Sequence, residues 1–156
     1  ALQGVELIIN QDADFADGSF DIVLSSLALH YVEDYVGVVQ NVHRILRPGG
    51  VFLFSCEHQV FTAEGSQDWT YNPDGSIAHF PVDNYYYEGR RTAHFLGEEV
   101  IKYHRTLTTY LTGLLQNGFA ITAVAEPMPP REMWDIPGMK DEMRRPMMLI
   151  IRAVKQ

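Results

Sequence analysis

Phe20–His58 reads FDIVLSSLALHYVEDYVGVVQNVHRILRPGGVFLFSCEH. Asp21–Ser26 is an apolar run of strand length. Asp34–Leu46 carries valines at three- and four-residue steps (Val32, Val36, Val39, Val42, then Leu46), the period of a helix face that packs on a sheet. Arg47-Pro48-Gly49-Gly50 ends that helix, because proline cannot continue it and glycine supplies the exit turn. Val51–Cys56 is a second apolar run. Strand, helix and strand at this spacing predict a right-handed parallel crossover, the repeating unit of α/β domains. Such sheets bind ligands at the carboxyl ends of their strands. Those ends are Ser25-Ser26-Leu27 and Cys56-Glu57-His58, so the chemistry is expected there.

Outward from this core, Val5–Ile9 reads as a further buried strand ending at Asn10-Gln11-Asp12-Ala13-Asp14. Phe61–Tyr103 has a different texture, rich in Phe, Trp and Tyr and punctuated by Asn72-Pro73-Asp74-Gly75 and Gly97-Glu98. Tyr85–Thr92 and Val100–Arg105 are expected as extended segments paired in a small antiparallel cap. An insert of this length between core elements is usually a lid or binding loop. Leu107, Tyr110, Leu111, Leu114 and Leu115 then mark a core-facing helix stopped at Gly118. Ala120–Ala125 and Met147–Val154 read as the last strands, separated by Pro127–Pro130 and a short helix over Met139–Arg145.

The chain has 156 residues, 46% hydrophobic and 21% charged, which suits one domain with a real core. A formal charge of −8 repels phosphate backbones, so nucleic acid is not an expected partner. No apolar run reaches spanning length and no leader pattern opens the chain, so a membrane or secreted role has no support. The single cysteine, Cys56, fits a reducing cytoplasm. No second Cys or His pair has ligand spacing near Cys56 and His58, and no metal site is expected.

SFDIVLSSLALHYV (Ser19–Val32), LRPGGVFLFSCEH (Leu46–His58), PVDNYYYEGRR (Pro81–Arg91), KYHRTLTTYL (Lys102–Leu111) and Gly118-Phe119 stand in the order of a known family. Over nearly its whole length the chain resembles the C-terminal part of class I S-adenosylmethionine-dependent methyltransferases, of a small-molecule type. The resemblance implies an α/β, Rossmann-like methyltransferase sheet, mainly parallel, with an antiparallel closing strand near Met147–Val154. Residues 1–156 would be one partial domain, with 61–103 a cap within it. Two departures stand out. Gln59 follows Glu57-His58 where the family has proline. The family's glycine-rich cofactor loop and the acidic residue after its second strand have no counterpart, so the N-terminal strands are expected to be missing. The Asp21–Ser26 strand would then be an exposed apolar edge, prone to pair as a homodimer or segment swap.

The resemblance also assigns residues. Asp12 would accept the adenine amine of S-adenosylmethionine and the Ala13 N–H would face a ring nitrogen; an ordinary loop aspartate, or Asp14 in its place, is the alternative. Ser25, Ser26 and Leu27 would contact the cofactor's amino-acid portion, or merely close a strand-to-helix turn. Glu57 and His58 stand at the mouth of the crevice as groups able to orient a small-molecule acceptor or take its proton, and His30 lies just beyond. Each also has a purely structural reading. Trp69 and Tyr85 would line an apolar acceptor pocket. Glu88, Arg91, His104, Arg105 and Thr106 would hold a lid through Arg–Glu pairing, bind an acidic acceptor, or staple the cap to the body. The expected reaction is in-line methyl transfer, leaving S-adenosylhomocysteine, in the complete protein. A non-catalytic fragment that does not bind cofactor alone is the rival reading. A nicotinamide-dependent reductase lacks its Tyr-x-x-x-Lys pair and dinucleotide glycines here.

Overall fold

The computed structural model describes residues 15–95 and 97–156. The expectations placed on Val5–Ile9, Asp12 and Ala13 lie outside the described residues.

Strand β1 (Phe20–Ser26) is followed by a single 3-10 turn (Leu29–Tyr31), helix α1 (Tyr35–Ile45) and strand β2 (Leu46–Glu57). Asp34 starts α1 by accepting the Gly37 N–H at 2.8 Å, the usual role of an N-cap carboxylate. Lys155 closes the other end, its Nζ donating to the carbonyls of His43 and Leu46 at 2.7 and 2.8 Å. β1 and β2 pair in parallel as the crossover requires. The Pro-Gly-Gly segment, expected as a turn before the strand, is instead a loop-out at its start. Phe20 pairs with Leu46 and Ile22 already pairs with Val51, with Gly49 at φ +74° absorbing the excursion.

The apolar insert begins with a helical turn, α2 (Gln59–Thr62), then two hairpins: β3 (Thr70–Tyr71) with β4 (Ile77–His79), and β5 (Gly89–Phe95) with β6 (Glu98–His104). The second is the antiparallel pair expected from sequence, except that Tyr85–Glu88 precede the strand. Helix α3 (Leu107–Gln116), β7 (Phe119–Ala125) and β8 (Met148–Lys155) complete the body.

The main sheet runs β1-β2-β8-β7. β8 is antiparallel to both neighbours, so β1, β2 and β7 share one direction and the closing strand is wedged between two of them. The core forms where α1 and α3 cover one face, around Val39, Phe52, Phe54, Tyr110, Leu114, Leu149 and Ile151. α1 presents Tyr35, Val38, Val39, Val42 and Ile45 to it. Val39, Val42 and Leu46 of the valine stripe are buried as expected, Val36 alone points outward at 42% exposed, and Tyr35, Val38 and Ile45 widen the buried face. Leu115 likewise lies outside the buried face of α3, where Gly113 lets the helix approach Tyr35. β1 ends the sheet among the described residues. It is buried on one side only, Ile22 and Leu24 being 59% and 65% exposed on the other.

Candidate active site

The carboxyl ends of β1 and β2 lie side by side, Ser26 in register with Ser55. Ser25 is buried, and its hydroxyl has no hydrogen-bond partner among the described residues. Leu27 turns the chain at φ +50°, its N–H spent on the Ser55 carbonyl at 2.9 Å. The next turn swings His30 over the end of β2, where its Nδ1 accepts the Glu57 N–H at 3.2 Å. The proton of the neutral ring therefore sits on Nε2, 3.9 Å from Glu57 Oε1. Burial pushes the His30 pKa down to about 4, although Glu57 works the other way.

Glu57 is the hub of this end. Its Oε1 receives Lys102 Nζ at 2.6 Å and its Oε2 receives Gln67 Nε2 at 2.7 Å, while Lys102 also donates to Gln67 Oε1 at 2.7 Å. Lys102 is 2% exposed. The Glu57 carboxylate and the Gln67 amide oxygen are the partners that offset burying such a side chain. Reading the sequence by motif passed over both Lys102 and Gln67. The signal for Lys102 was available: strand alternation puts it on the inward face with His104, and both are buried.

His58, adjacent in sequence, has separate partners. Its Nδ1 accepts the Val60 N–H at 3.0 Å, capping α2, and Nε2 approaches Glu126 Oε1 at 2.7 Å. That approach lies off the line of a hydrogen bond and is an ion pair only when the ring is protonated. Burial lowers the His58 pKa, and Glu126 partly restores it.

The insert residues are brought near the site without forming an Arg–Glu pair. Glu88 Oε1 accepts from the Thr106 N–H and hydroxyl, both at 2.7 Å, and from Thr109 Oγ1 at 2.5 Å, fixing the start of α3. Burial opposes ionisation of Glu88, but these hydrogen bonds outweigh it and hold its pKa below the usual range. Arg91 donates to the carbonyls of Ala63 and Tyr87. Arg105 is buried and donates to the carbonyls of Val32 and Glu33, pinning the turn that carries His30. His104 donates Nε2–H to the Tyr85 carbonyl at 2.9 Å, so its Nδ1 accepts from Thr62 Oγ1 at 2.7 Å. Burial lowers its pKa too. Tyr85 Oη accepts the Leu107 N–H at 3.1 Å. Trp69 stacks edge-on to Phe80 and lies under the Arg145 guanidinium at 4.2 Å. Cys56 is fully buried, and burial pushes its thiol pKa up to about 12.

The methyltransferase-domain family profile matches residues 3–54. The crystal structure of an S-adenosylmethionine-dependent methyltransferase from Listeria monocytogenes superposes with a TM-score of 0.89 at 51% identity, over 94% of this chain and 66% of that one. The chain belongs to the class I S-adenosylmethionine-dependent methyltransferase family. A second methyltransferase, from Mesorhizobium loti, gives a TM-score of 0.83 at 38% identity over 93% of this chain and 66% of that one. An uncharacterized Haemophilus influenzae protein is 30% identical over 96% of this chain and 59% of its own length. The chain thus spans about three fifths of that curated relative and 66% of each of the two methyltransferase structures. Within this methyltransferase frame, the Rossmann-like sheet, with β8 as its antiparallel strand, matches the expectation from sequence.

Proposed function

We propose that the protein transfers a methyl group from S-adenosylmethionine to a small-molecule acceptor. The observation that carries the reading is the junction of His30 with Glu57 across the carboxyl ends of β1 and β2, joined by the 3.2 Å bond from the Glu57 N–H, in a chain of this family. The cofactor fits what the chain presents: the buried Ser25 hydroxyl lacks a partner among the described residues and stands at the strand end, a site for a polar ligand group. Ser25, Ser26 and Leu27 would hold the cofactor's amino-acid portion, and Asp12 and Ala13 its adenine. When bound, it supplies an activated methyl on a sulfonium leaving group.

The protein's own work is then alignment and desolvation. Glu57 offers a carboxylate to the acceptor's proton. His30, neutral at working pH, is a donor through Nε2–H and a poor base. His58, held by Val60 and Glu126, orients α2 and the start of the insert. Trp69, Tyr85, Glu88, Arg91, His104 and Arg105 frame the 61–103 cap over this end. The lone buried cysteine supports a reducing, cytoplasmic location, and the apolar β1 edge supports pairing with a second copy or an exchanged segment.

Transfer of label from methyl-labelled S-adenosylmethionine to a panel of small phenols, amines and thiols tests the reading. Label in any acceptor supports it. No S-adenosylhomocysteine binding and no label in the panel would favour the non-catalytic alternative for this chain.

A further inference from the structure

Around Glu57 Oε1 stand two N–H donors that the protein does not use. Lys102 has three N–H bonds and gives two of them, to Glu57 and Gln67. Its third has no oxygen partner among the described residues. His30 Nε2–H lies 3.9 Å from the same Glu57 oxygen, beyond hydrogen-bond reach, and makes no other bond among the described residues. Both N–H groups therefore remain available to an acceptor atom brought to this end of the sheet, beside the buried Ser25 hydroxyl that also has no partner among the described residues. Beside them lie two aromatic rings, Tyr31 and Phe95, with centroids 5.8 and 5.7 Å from Lys102 Nζ. Both are large, apolar and half exposed, at 42% and 51%.

Resting on the methyl-transfer reading, we infer that this cluster is the acceptor subsite and that it selects a flat aromatic or enolic hydroxyl. A hydroxyl matches because it accepts and donates at one atom. One lone pair takes a free proton of Lys102 or His30, its O–H donates to Glu57 Oε1, and the second lone pair stays open towards the methyl donor. A carbonyl leaves the carboxylate unused, an ammonium has nothing to offer the two donors, and a carboxylate would be repelled by Glu57. Tyr31 and Phe95 supply the walls for the ring that carries the hydroxyl. Lys102 and His30 are then specificity-determining residues, and Gln67 is a positioning residue that orients both members of the ion pair.

The probe is 2-naphthol, followed by its own fluorescence on excitation beyond the tryptophan band, against naphthalene and 2-methoxynaphthalene as controls. Each is titrated into the chain with and without saturating S-adenosylhomocysteine. The expected result is that 2-naphthol binds at least about ten-fold more tightly than either control, the equivalent of one or two net hydrogen bonds. In the Glu57→Gln/Lys102→Met double variant, which keeps the pair neutral, the preference falls to about unity, and near-UV circular dichroism checks the fold. Equal binding of all three probes to the unaltered chain, no binding of 2-naphthol, or a preference that survives in the folded double variant overturns the inference. S-adenosylhomocysteine binding without hydroxyl preference removes the subsite alone. Hydroxyl preference without S-adenosylhomocysteine binding upholds the subsite and removes the methyl-transfer reading.

Discussion

Replacing Arg105 with lysine isolates what holds His30 in place. The guanidinium donates to the Val32 carbonyl, to the Glu33 carbonyl at 2.6 Å, and more weakly to Leu29 and Tyr103 at 3.4 Å each. It is also flanked by the rings of Tyr35, Tyr103 and Tyr110 at 5.6, 6.0 and 6.0 Å. Among the described residues no carboxylate pairs with it, so these carbonyls and rings are its main partners. A hydrogen bond to a charged group contributes about 1.5–3 kcal/mol. A lysine ammonium is a shorter, single-point donor and keeps at most one of the two strong contacts. The expected loss for Arg105→Lys is therefore about 3 kcal/mol, with Arg105→Met losing more. With a urea slope of about 2 kcal/mol per molar, the unfolding midpoint falls by about 1.5 M. Urea titration followed by circular dichroism measures it. A loss below about 0.5 kcal/mol would refute the reasoning, because water would then be serving these carbonyls as well as the guanidinium does.

Acid should destabilise the fold through His30. Its folded pKa of about 4 lies below the unfolded value of 6.5, so between those pH values the unfolded chain binds more protons. Stability is full above pH 6.5 and drops as pH falls towards 4, by about 3 kcal/mol from this residue; His30→Gln should flatten the profile by that amount in denaturant titrations at stepped pH. Gly113→Ala should destabilise although alanine favours helices, because its Cβ would lie 2.7 Å from Tyr35 Cε1, and Tyr35 is anchored by its 2.9 Å bond to the Tyr110 carbonyl. The expected net cost is about 1–2 kcal/mol, or roughly 3–6 °C in a thermal melt. Cys56 should resist thiol reagents in the native state and react only on unfolding, a contrast readable by labelling at stepped urea concentrations.

The crossover from β1 to β2 was legible because each of its parts is a local signal: apolar runs of strand length, a capped helix, and a Pro-Gly-Gly stop. Position along the crossover placed Ser25, His30 and Glu57 at one sheet end, where the structure brings the last two into contact. The partners from the insert were not legible. Gln67 and Lys102 stand 10 and 45 residues from Glu57, and such pairings depend on how the hairpins fold back. The same holds for Arg105, which finds backbone carbonyls that no side-chain motif announces. On the helix face of α1, Val36 was misjudged for a simpler reason. Valines occur on two sides of it, and only burial separates Val39 and Val42 from Val36.

The central claim, that the strand ends carrying Ser25, His30 and Glu57 serve a methyl-donor site, is tested most directly by calorimetric titration of S-adenosylhomocysteine into the chain, with its mass in solution measured by light scattering. The account predicts saturable binding of defined stoichiometry that weakens in Ser25→Ala. Absence of binding by a chain shown to be folded would contradict it.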